Sequence, residues 1–429
     1  MYDSSFYARK NTRRFILGFA SYLFIAAIFL ASLNFINKYF YFLYIGFGVL
    51  MLFLIGTRTF HINHMVFVLF GLSLCYLLFN PNSAYSITGF LKQFVYPLSY
   101  MCGLNCLKQF EKKETDPKIC QAKREKGFII LCIVIATGLL VHIILNLIIN
   151  SGGGDRNIVD FWTKDTSSAT CNAAMFCFGI GIIPALFFSK SGVIGKTFAT
   201  VNLAVFVAFA LMLAGRTFFL LFAIVFGATL LFAAIVSKNR KKALRILWIT
   251  ALVCGAIALL YFLNAFGIKD AFENSNFYER FFGKWAMDIT EDGRLERKRM
   301  YFENMFNWEN MWGGGALREA ANNKYAHELY LDILSDAGII AYILVVVFVF
   351  SRTVRAVRFA ASRKSKSLDL LSSIIFGLFL SMNIEFFIEP IVQGVPWLFP
   401  TFCLFCGMVD YLILKAPAPQ TNERKETQK

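Results

Sequence analysis

Twelve apolar runs, each about long enough to cross a lipid bilayer, divide this sequence. They fall at roughly 15–36, 40–57, 62–79, 88–107, 128–150, 172–189, 197–214, 217–237, 244–266, 333–351, 369–388 and 395–414. The hydrocarbon core offers no water to bond the backbone, so runs of this length cross it as α-helices. The low charged fraction of 16% excludes an ordinary soluble protein. We predict an all-α polytopic membrane protein of about 12 transmembrane helices, with residues 1–429 as a single integral membrane domain.

Lysine and arginine are unevenly shared between the two sides of these predicted helices. With the N-terminus in the cytoplasm, the cytoplasmic segments carry 29 of them and the outer segments carry 13, nine of which lie in one long loop. Cytoplasmic loops of membrane proteins are enriched in such residues. The net charge of +16 is therefore explained by topology, which argues against a nucleic-acid partner. We predict cytoplasmic termini and a disordered cytoplasmic tail over 416–429.

One connection is much longer than the others. Residues 267–329, between predicted helices 9 and 10, form a polar loop on the outer side, and 151–171 form a second outer segment. Compact domains keep their connections short unless a long one has a function. We therefore expect the chemistry on the extracytoplasmic face, in or beside the 267–329 loop.

Arg216 stands at the outer end of an apolar run. Placing a guanidinium within a bilayer costs about 3 kcal/mol even on the mildest scale, so it is usually retained for a reason. Its planar donor fork suits a phosphate. An interfacial arginine that reaches lipid headgroups is the equally weighted alternative.

The loop contains a predicted amphipathic helix over 291–308, with Asp292 as N-cap. One predicted face carries Leu295, Phe302, Met305 and Phe306, and the other carries Arg294, Arg297, Lys298 and Tyr301. Such a helix lies on a membrane surface with its apolar face down, and its basic face would then attract an anionic ligand. The alternative is a solvated helix whose charge is balanced by Glu291, Glu296 and Glu303.

His327 follows a glycine-rich turn, Gly313–Gly315, and lies at the outer end of a predicted helix over 323–335. A histidine titrates near neutrality and can accept a proton from a hydroxyl nucleophile. A purely structural histidine is the alternative.

Glu385 and Glu389 lie one helical turn apart near the outer end of the eleventh run. Carboxylates within a membrane usually mark function or a cationic partner. Pairing with Arg216 and support of His327 both stay open. A cation held by Asp288, Glu291 and Asp292 is a weaker alternative, and we predict no metal site.

The order of these features resembles the O-antigen ligase and O-antigen polymerase superfamily of membrane glycosyltransferases. The matching features, in order, are Gly215-Arg216 at the start of an apolar helix, Gly293-Arg294 at the start of the loop helix, the turn Gly313–Gly315, and His327, Leu331 and Gly338 before a transmembrane helix. The resemblance covers about 213–350, and Ser167 to Thr170 is also similar to some members. The first third agrees in hydropathy only.

The resemblance implies a GT-C-like fold and an inverting, metal-independent transferase that needs no cofactor. Such enzymes move a glycan from an undecaprenyl-pyrophosphate carrier to a glycan or lipid-linked acceptor during assembly of O-antigen, capsule or exopolysaccharide. They act in the bacterial cytoplasmic membrane, among membrane lipids and envelope polysaccharide assembly proteins. Arg216 and Arg294 would clamp the donor pyrophosphate, and His327 would orient or deprotonate the acceptor hydroxyl. The predicted substrate-binding set is Arg297, Lys298, Tyr301, Arg318, Glu385 and Glu389.

Two positions depart from the superfamily pattern. Glu328 follows the histidine where asparagine is common, and Lys298 stands where the loop helix often has tryptophan. Ligase and polymerase share the same donor chemistry, so the choice between them stays open, as does the choice of Arg294 or Arg297 as the pyrophosphate contact. A transporter or flippase of lipid-linked sugars is the alternative from another class, and a structural membrane protein without catalysis is the third.

Overall fold

The computed structural model describes most of the chain apart from its two ends and several connections. The described residues are 19, 21–33, 45–46, 48–50, 52, 60–79, 92, 94–111, 116–150, 157–189, 191–213, 216–236, 240–274, 278, 282, 293–363, 369–389 and 391–416. The predicted second span at 40–57 and the tail at 416–429 thus lie mostly outside the described residues.

Helices dominate the described residues. In chain order they are α1 (Ser21–Ser32), α2 (His64–Phe79), α3 (Val95–Cys106), α4 (Pro117–Ile149), α5 (Ala169–Phe188), α6 (Gly192–Met212), α7 (Arg216–Val236), α8 (Arg240–Phe262), α9 (Ile268–Glu273), α10 (Gly293–Asn304), α11 (Ala316–Ala320), α12 (Leu329–Ser362), α13 (Leu370–Ile388), α14 (Ile391–Gly394) and α15 (Leu398–Leu414). Short 3-10 turns occur at Leu107–Glu111, Ala265–Gly267 and Trp308–Asn310. Two three-residue strands, β1 (Asn157–Val159) and β2 (Thr166–Ser168), pair antiparallel.

Five of these helices are long and apolar enough to cross a membrane. They are Pro117–Ile149, Gly192–Met212, Thr217–Val236, Leu329–Ser362 and Leu370–Ile388. A sixth is reached if Gly255–Phe262 and Ala265–Glu273, which meet at 99°, count as one bent span. The structure is therefore that of an all-α, membrane-embedded protein, while the predicted total of twelve spans stays a prediction.

The helices pack through small residues where their backbones come close. Helix α15 runs along α3, and a side chain at Gly103 would collide with the backbone of Gly407 and its neighbours. Helix α13 runs along α5 with the same relationship between Gly181 and Gly377. Small residues are typical of helix contacts in membranes, because association there depends on close van der Waals packing.

Helices α7 and α13 run antiparallel, which brings two predicted site segments to one end of the bundle. Phe232, near the end of α7, stacks on Phe376, near the start of α13, with ring centroids 4.2 Å apart. The start of α7, Arg216, therefore lies at the same end as the last turn of α13, which contains Glu385. We call this end of the bundle the site end.

The opposite end of α12 carries a buried ionic cluster. Asp410 of α15 accepts hydrogen bonds from Arg352, at 2.6 Å, and from Tyr100 of α3. Arg355 lies 3.1 Å from the same carboxylate. Three helices are thus joined by one aspartate, far from His327 along α12.

One connection differs from the sequence-based prediction, and a second contains the predicted loop helix within shorter bounds. The outer segment 151–171 contains the β1–β2 hairpin, which the hydropathy pattern did not predict. The described part of 267–329 consists of the short helices α9, α10 and α11 with the 3-10 turn Trp308–Asn310, so this stretch is an ordered chain of short segments.

Candidate functional site

Helix α12 is broken at Gly338, and the glycine turn fills the break. Gly338 has φ 82° and ψ 178°, so it interrupts the helical hydrogen bonds around it. The freed carbonyl of Ser335 accepts the N–H of Gly315 at 2.9 Å, and that of Asp336 accepts the N–H of Gly314 at 3.1 Å. The freed N–H of Ile339 donates to Met311 at 2.8 Å. Every one of these buried backbone groups is thereby satisfied.

Only glycine fits at the centre of this contact. A Cβ on Gly313 would lie 2.8 Å from the backbone nitrogen of Gly338, and a Cβ on Gly338 would lie 2.9 Å from the carbonyl carbon of Trp312. Both glycines also have positive φ, at 87° and 82°. Two separate parts of the sequence motif are therefore one structural unit.

Arg318 closes the same unit through its side chain. Its guanidinium lies 3.1 Å from Asp336, whose other oxygen accepts a hydrogen bond from Gln393 at 3.0 Å. Its backbone N–H donates to the hydroxyl of Ser335 at 3.1 Å, and its charge lies over the ring of Tyr325. These contacts assign Arg318 a structural role, and its assignment to substrate binding stays a prediction.

His327 precedes α12 and is not part of it, which corrects the predicted helix over 323–335. The helix begins at Leu329, with Glu328 as its extended N-cap. Asn322, Asn323 and His327 have φ values of 58°, 59° and 60°, in the left-handed region that interrupts a right-handed helix. Asparagine adopts this region readily, whereas histidine there is held by its surroundings.

The backbone on both sides of His327 is anchored. The N–H of Ala326 donates to the side chain of Asp332, in the first turn of α12, at 3.0 Å. On the other side, the carboxylate of Glu328 lies 3.3 Å from the ammonium of Lys298. The strained residue therefore lies between two fixed neighbours.

Lys298 joins three elements at this point. Besides Glu328, its ammonium donates to the carbonyl of Phe387, in the last turn of α13, at 2.6 Å. Burial raises the pKa of Glu328 above its ordinary value of 4.5, although the positive charge of Lys298 acts in the opposite direction. The side chain of Glu328 is only 9% exposed, so the pair is largely shielded from solvent.

Helix α10 turns toward the protein the face that carries Arg297, Lys298 and Tyr301, which we call its basic stripe. Tyr301 is fully buried and its hydroxyl donates to the carbonyl of Lys324 at 2.8 Å, while Arg297 and Lys298 are partly buried. The exposed apolar residues of the helix and the turn after it are Leu295, Phe302 and Phe306. Met305, predicted on that exposed stripe, is buried with Tyr301, because the two residues are four apart and share one helix face.

Arg297 carries a buried donor whose acceptor is not among the described residues. Its Nε atom is buried and has no hydrogen-bond partner among the described residues. Buried N–H groups in folded proteins are rarely left without an acceptor. The atom lies on the protein-facing side of α10, next to Lys298.

The remaining predicted residues are placed at the same end. Glu385 lies in the last turn of α13 and Glu389 is its C-cap, and both are fully buried. Arg216 is the first residue of α7 and Arg294 is the second residue of α10, but their side chains lie outside the described part of the chain. Whether the glutamates pair with Arg216 or support His327 therefore stays open.

A second polar cluster lies at the site end and was missed from sequence. Buried His142 lies 2.8 Å from the carbonyl of Leu33, 3.2 Å from Asp160 and 3.0 Å from the amide of Asn146. Asn150 pairs with the backbone of Val159 on β1. The four-residue spacing of His142, Asn146 and Asn150 in an apolar helix was the available signal, since such residues share one face.

No metal cluster is visible in the part of the chain that the structure describes, where no three histidine, cysteine or acidic side chains converge. Gly215, Asp288, Glu291 and Asp292 lie outside that part.

The site can therefore combine a fixed histidine, a basic stripe and buried carboxylates at one end of a helical bundle. No known family model and no curated protein matches this chain.

Proposed function

We propose that this chain is a membrane glycosyltransferase that moves a glycan from an undecaprenyl-pyrophosphate carrier to an acceptor sugar during assembly of a surface polysaccharide. The observation that carries the proposal is the convergence at the site end. The basic stripe of α10, His327 and the end of α13 meet there through Lys298. Arg216 begins α7 at the same end.

The chemistry of the proposed reaction needs charge on one side and a base on the other. The acceptor hydroxyl oxygen forms a bond to the anomeric carbon from the face opposite the carrier, and the bond from that carbon to the pyrophosphate oxygen breaks. The electron pair stays on the carrier pyrophosphate, and the hydroxyl proton passes to His327. Arg216, Arg294 and Arg297 stabilise the negative charge that develops on the leaving group. The buried Nε of Arg297 favours this residue as a direct phosphate contact.

The proposed topology follows from the same function. We place the chain in the bacterial cytoplasmic membrane with about twelve spans in a GT-C-like arrangement, both termini in the cytoplasm, and 267–329 on the outer face. A lipid carrier holds its pyrophosphate at headgroup depth, and the exposed Leu295, Phe302 and Phe306 of the α10 region suit contact with that interface.

A transporter of lipid-linked sugars is the second candidate, because α12 is a broken helix. Transporters commonly use backbone groups freed by such breaks to bind substrate. Here the freed carbonyls of Ser335 and Asp336 are bonded to the glycine turn, and the freed N–H of Ile339 is bonded to Met311. The break therefore favours a fixed scaffold for His327 over a transport site.

The test is the polysaccharide profile of a deletion strain that carries wild type, His327→Ala, Arg216→Ala, Arg294→Ala or Arg297→Ala. Protein amounts are matched, and both the surface polymer and the carrier-linked pool are resolved by size. Arg299→Ala is the matched control, since Arg299 lies on α10 but is 71% exposed and pairs only with Glu303 among the described residues. We expect loss of transfer in each of the four alanine variants of the proposed site. We expect wild-type polymer in the control Arg299→Ala.

The products of the deletion strain distinguish a polymerase from a ligase. The products of the site variants test the assigned active site. Single repeats on the carrier identify a polymerase, and long chains that stay on the carrier identify a ligase. Wild-type polymer in all four site variants would exclude the assigned active site and favour transport or a structural role.

A further inference from the structure

The ammonium of Lys298 contacts two other parts of the protein. A lysine on the basic stripe of α10 would be expected to offer its charge to a ligand. Its ammonium is instead engaged by two protein acceptors, the carboxylate of Glu328 and the carbonyl of Phe387. Its side chain is 24% exposed, so it is partly withdrawn from the space in front of the helix.

The acceptor on α13 is a carbonyl that the helix itself leaves free. Helix α13 ends at Ile388, so the carbonyl of Phe387 belongs to the last turn, whose oxygens have no partner within the helix. A cation is favoured at this position by the helix dipole. Phe387 lies between Glu385 and Glu389, so Lys298 also fixes the segment that carries both glutamates.

The acceptor on α12 is next to His327. Glu328 is largely buried and is the residue from which α12 starts. An ionised carboxylate at such a position needs its partner, because a buried charge left alone is strongly destabilising. Without Lys298, Glu328 would take up a proton or turn toward water, and either change would remove the ion pair that holds the residue after His327.

We infer that Lys298 is a positioning residue that holds His327 in its left-handed conformation through Glu328 and the end of α13. The left-handed region is less favourable than the right-handed one for a residue with a side chain, so the φ of 60° at His327 depends on its surroundings. Asp332 fixes the preceding residue, and the Lys298–Glu328 pair fixes the following one. The assignment rests on the proposed function only for its effect on glycan transfer.

The experiment measures the position of His327 without using transfer activity. The full chain in lipid nanodiscs is treated with diethyl pyrocarbonate, and the rate of modification of each histidine is followed by mass spectrometry. His64 is exposed and serves as the internal reference. Because the pair limits local opening of this segment, we expect Lys298→Met and Glu328→Gln to raise the rate at His327 by about threefold to tenfold. The rate at His64 should not change.

Three further variants separate positioning from loss of folding. Lys298→Arg keeps the charge and both acceptors, and we expect it to retain a near wild-type rate at His327. The exchange Lys298→Glu with Glu328→Lys should recover part of the protection. Arg299→Met, on the exposed face of the same helix, should leave both histidines unchanged.

The outcomes for this inference and for the proposed function are independent. An unchanged rate at His327 in both Lys298→Met and Glu328→Gln overturns the positioning role, whatever the polysaccharide profile shows. An increased rate at His327 with rescue by Lys298→Arg supports it, even if the deletion strain makes normal polymer. In the polymer assay we expect Lys298→Met to reduce transfer and Lys298→Arg to restore it.

Discussion

Gly313 and Gly338 lie in direct backbone contact, although 24 residues separate them in the sequence. The contact positions the turn Gly313–Gly315 within the break of α12. Gly338 has φ 82° and ψ 178°, a combination that is essentially restricted to glycine.

Alanine at either glycine should destabilise the protein. We expect Gly338→Ala and Gly313→Ala to lower the free energy of unfolding by about 1–3 kcal/mol each from backbone strain, with additional cost from the short contacts. The measurement is thermal unfolding in detergent, followed with a dye that reacts with buried thiols such as those of Cys132 and Cys403. Gly227→Ala is the control, because nothing lies within 4 Å of a Cβ there. Equal melting temperatures for the three variants would contradict the role of the contact.

The pair Arg318–Asp336 should prove to be a structural unit. Since the two side chains lie 3.1 Å apart, we expect Arg318→Met and Asp336→Asn to be non-additive, with a coupling energy of about 0.5–3 kcal/mol in a double-mutant cycle of unfolding. A direct role of Arg318 in substrate binding predicts a different result, namely loss of transfer by Arg318→Met at unchanged stability. Additive effects on stability would rule out the pairing as a significant contact.

The ionic cluster at the other end of α12 should contribute stability without affecting chemistry. Asp410→Asn leaves Arg352 buried without its counter-charge, and breaking such a pair costs about 3–5 kcal/mol. Glu303→Gln is the matched control, because its pair with Arg299 is exposed and such pairs contribute about 0–1 kcal/mol. Transfer per folded molecule should stay at the wild-type level in both variants. A selective loss of transfer in Asp410→Asn would place this cluster in the mechanism.

The β1–β2 hairpin before α5 should lose the stabilisation that Asp160 provides only at acidic pH. Burial acts to raise the pKa of Asp160, but hydrogen bonds from His142 and from the N–H groups of Thr163 and Trp162 outweigh burial, so the pKa lies below its ordinary value of 3.8. Because the pKa of Asp160 is lowered in the folded state, its stabilisation is complete above the unfolded-state pKa of 3.8. The stabilisation is lost as the pH falls from there through the folded-state pKa. At neutral pH, we expect Asp160→Asn to cost about 1.5–3 kcal/mol, as for hydrogen bonds to a charged group.

The pH dependence of this cost is the decisive measurement. The difference in melting temperature between wild type and Asp160→Asn should be constant in neutral and mildly acidic buffers and should shrink below pH 3.8. Asp165→Asn, an exposed carboxylate on the same hairpin, should match wild type throughout. A difference that widens as the pH falls would mean that Asp160 is held in its protonated form.

The periodicity of the sequence predicted which residues share a face of α10, with the exception of Met305. It did not predict which face is turned toward the protein. The basic and apolar stripes are one-dimensional patterns, and most residues fall on the predicted sides. The sequence could not show that the basic stripe faces the protein, with Tyr301 buried and Lys298 bonded to α13, because that depends on segments 23 and 89 residues away. Met305 was misplaced for a local reason, since it lies four residues after Tyr301 and shares its helix face.

The start of α12 was predicted several residues too early. Helix propensity favours 323–335 as a continuous helix, but Asn323 and His327 have positive φ, which interrupts a right-handed helix. Tertiary contacts also join Lys298 and Glu328, the two positions that depart from the pattern expected under the proposed resemblance. Neither residue is explained alone, because the ammonium of Lys298 and the carboxylate of Glu328 are each other's counter-charge.

The sequence by itself determined that this is an all-α membrane protein, because long apolar runs have no other stable state in a bilayer. It also determined which polar residues stand at helix ends, since charges are excluded from the apolar interior. Only the tertiary structure decided that the glycine turn enters the break in α12, that Arg318 pairs with Asp336, and that Lys298 lies between Glu328 and Phe387. These contacts join residues far apart in the chain, and they depend on packing between helices that no local pattern encodes.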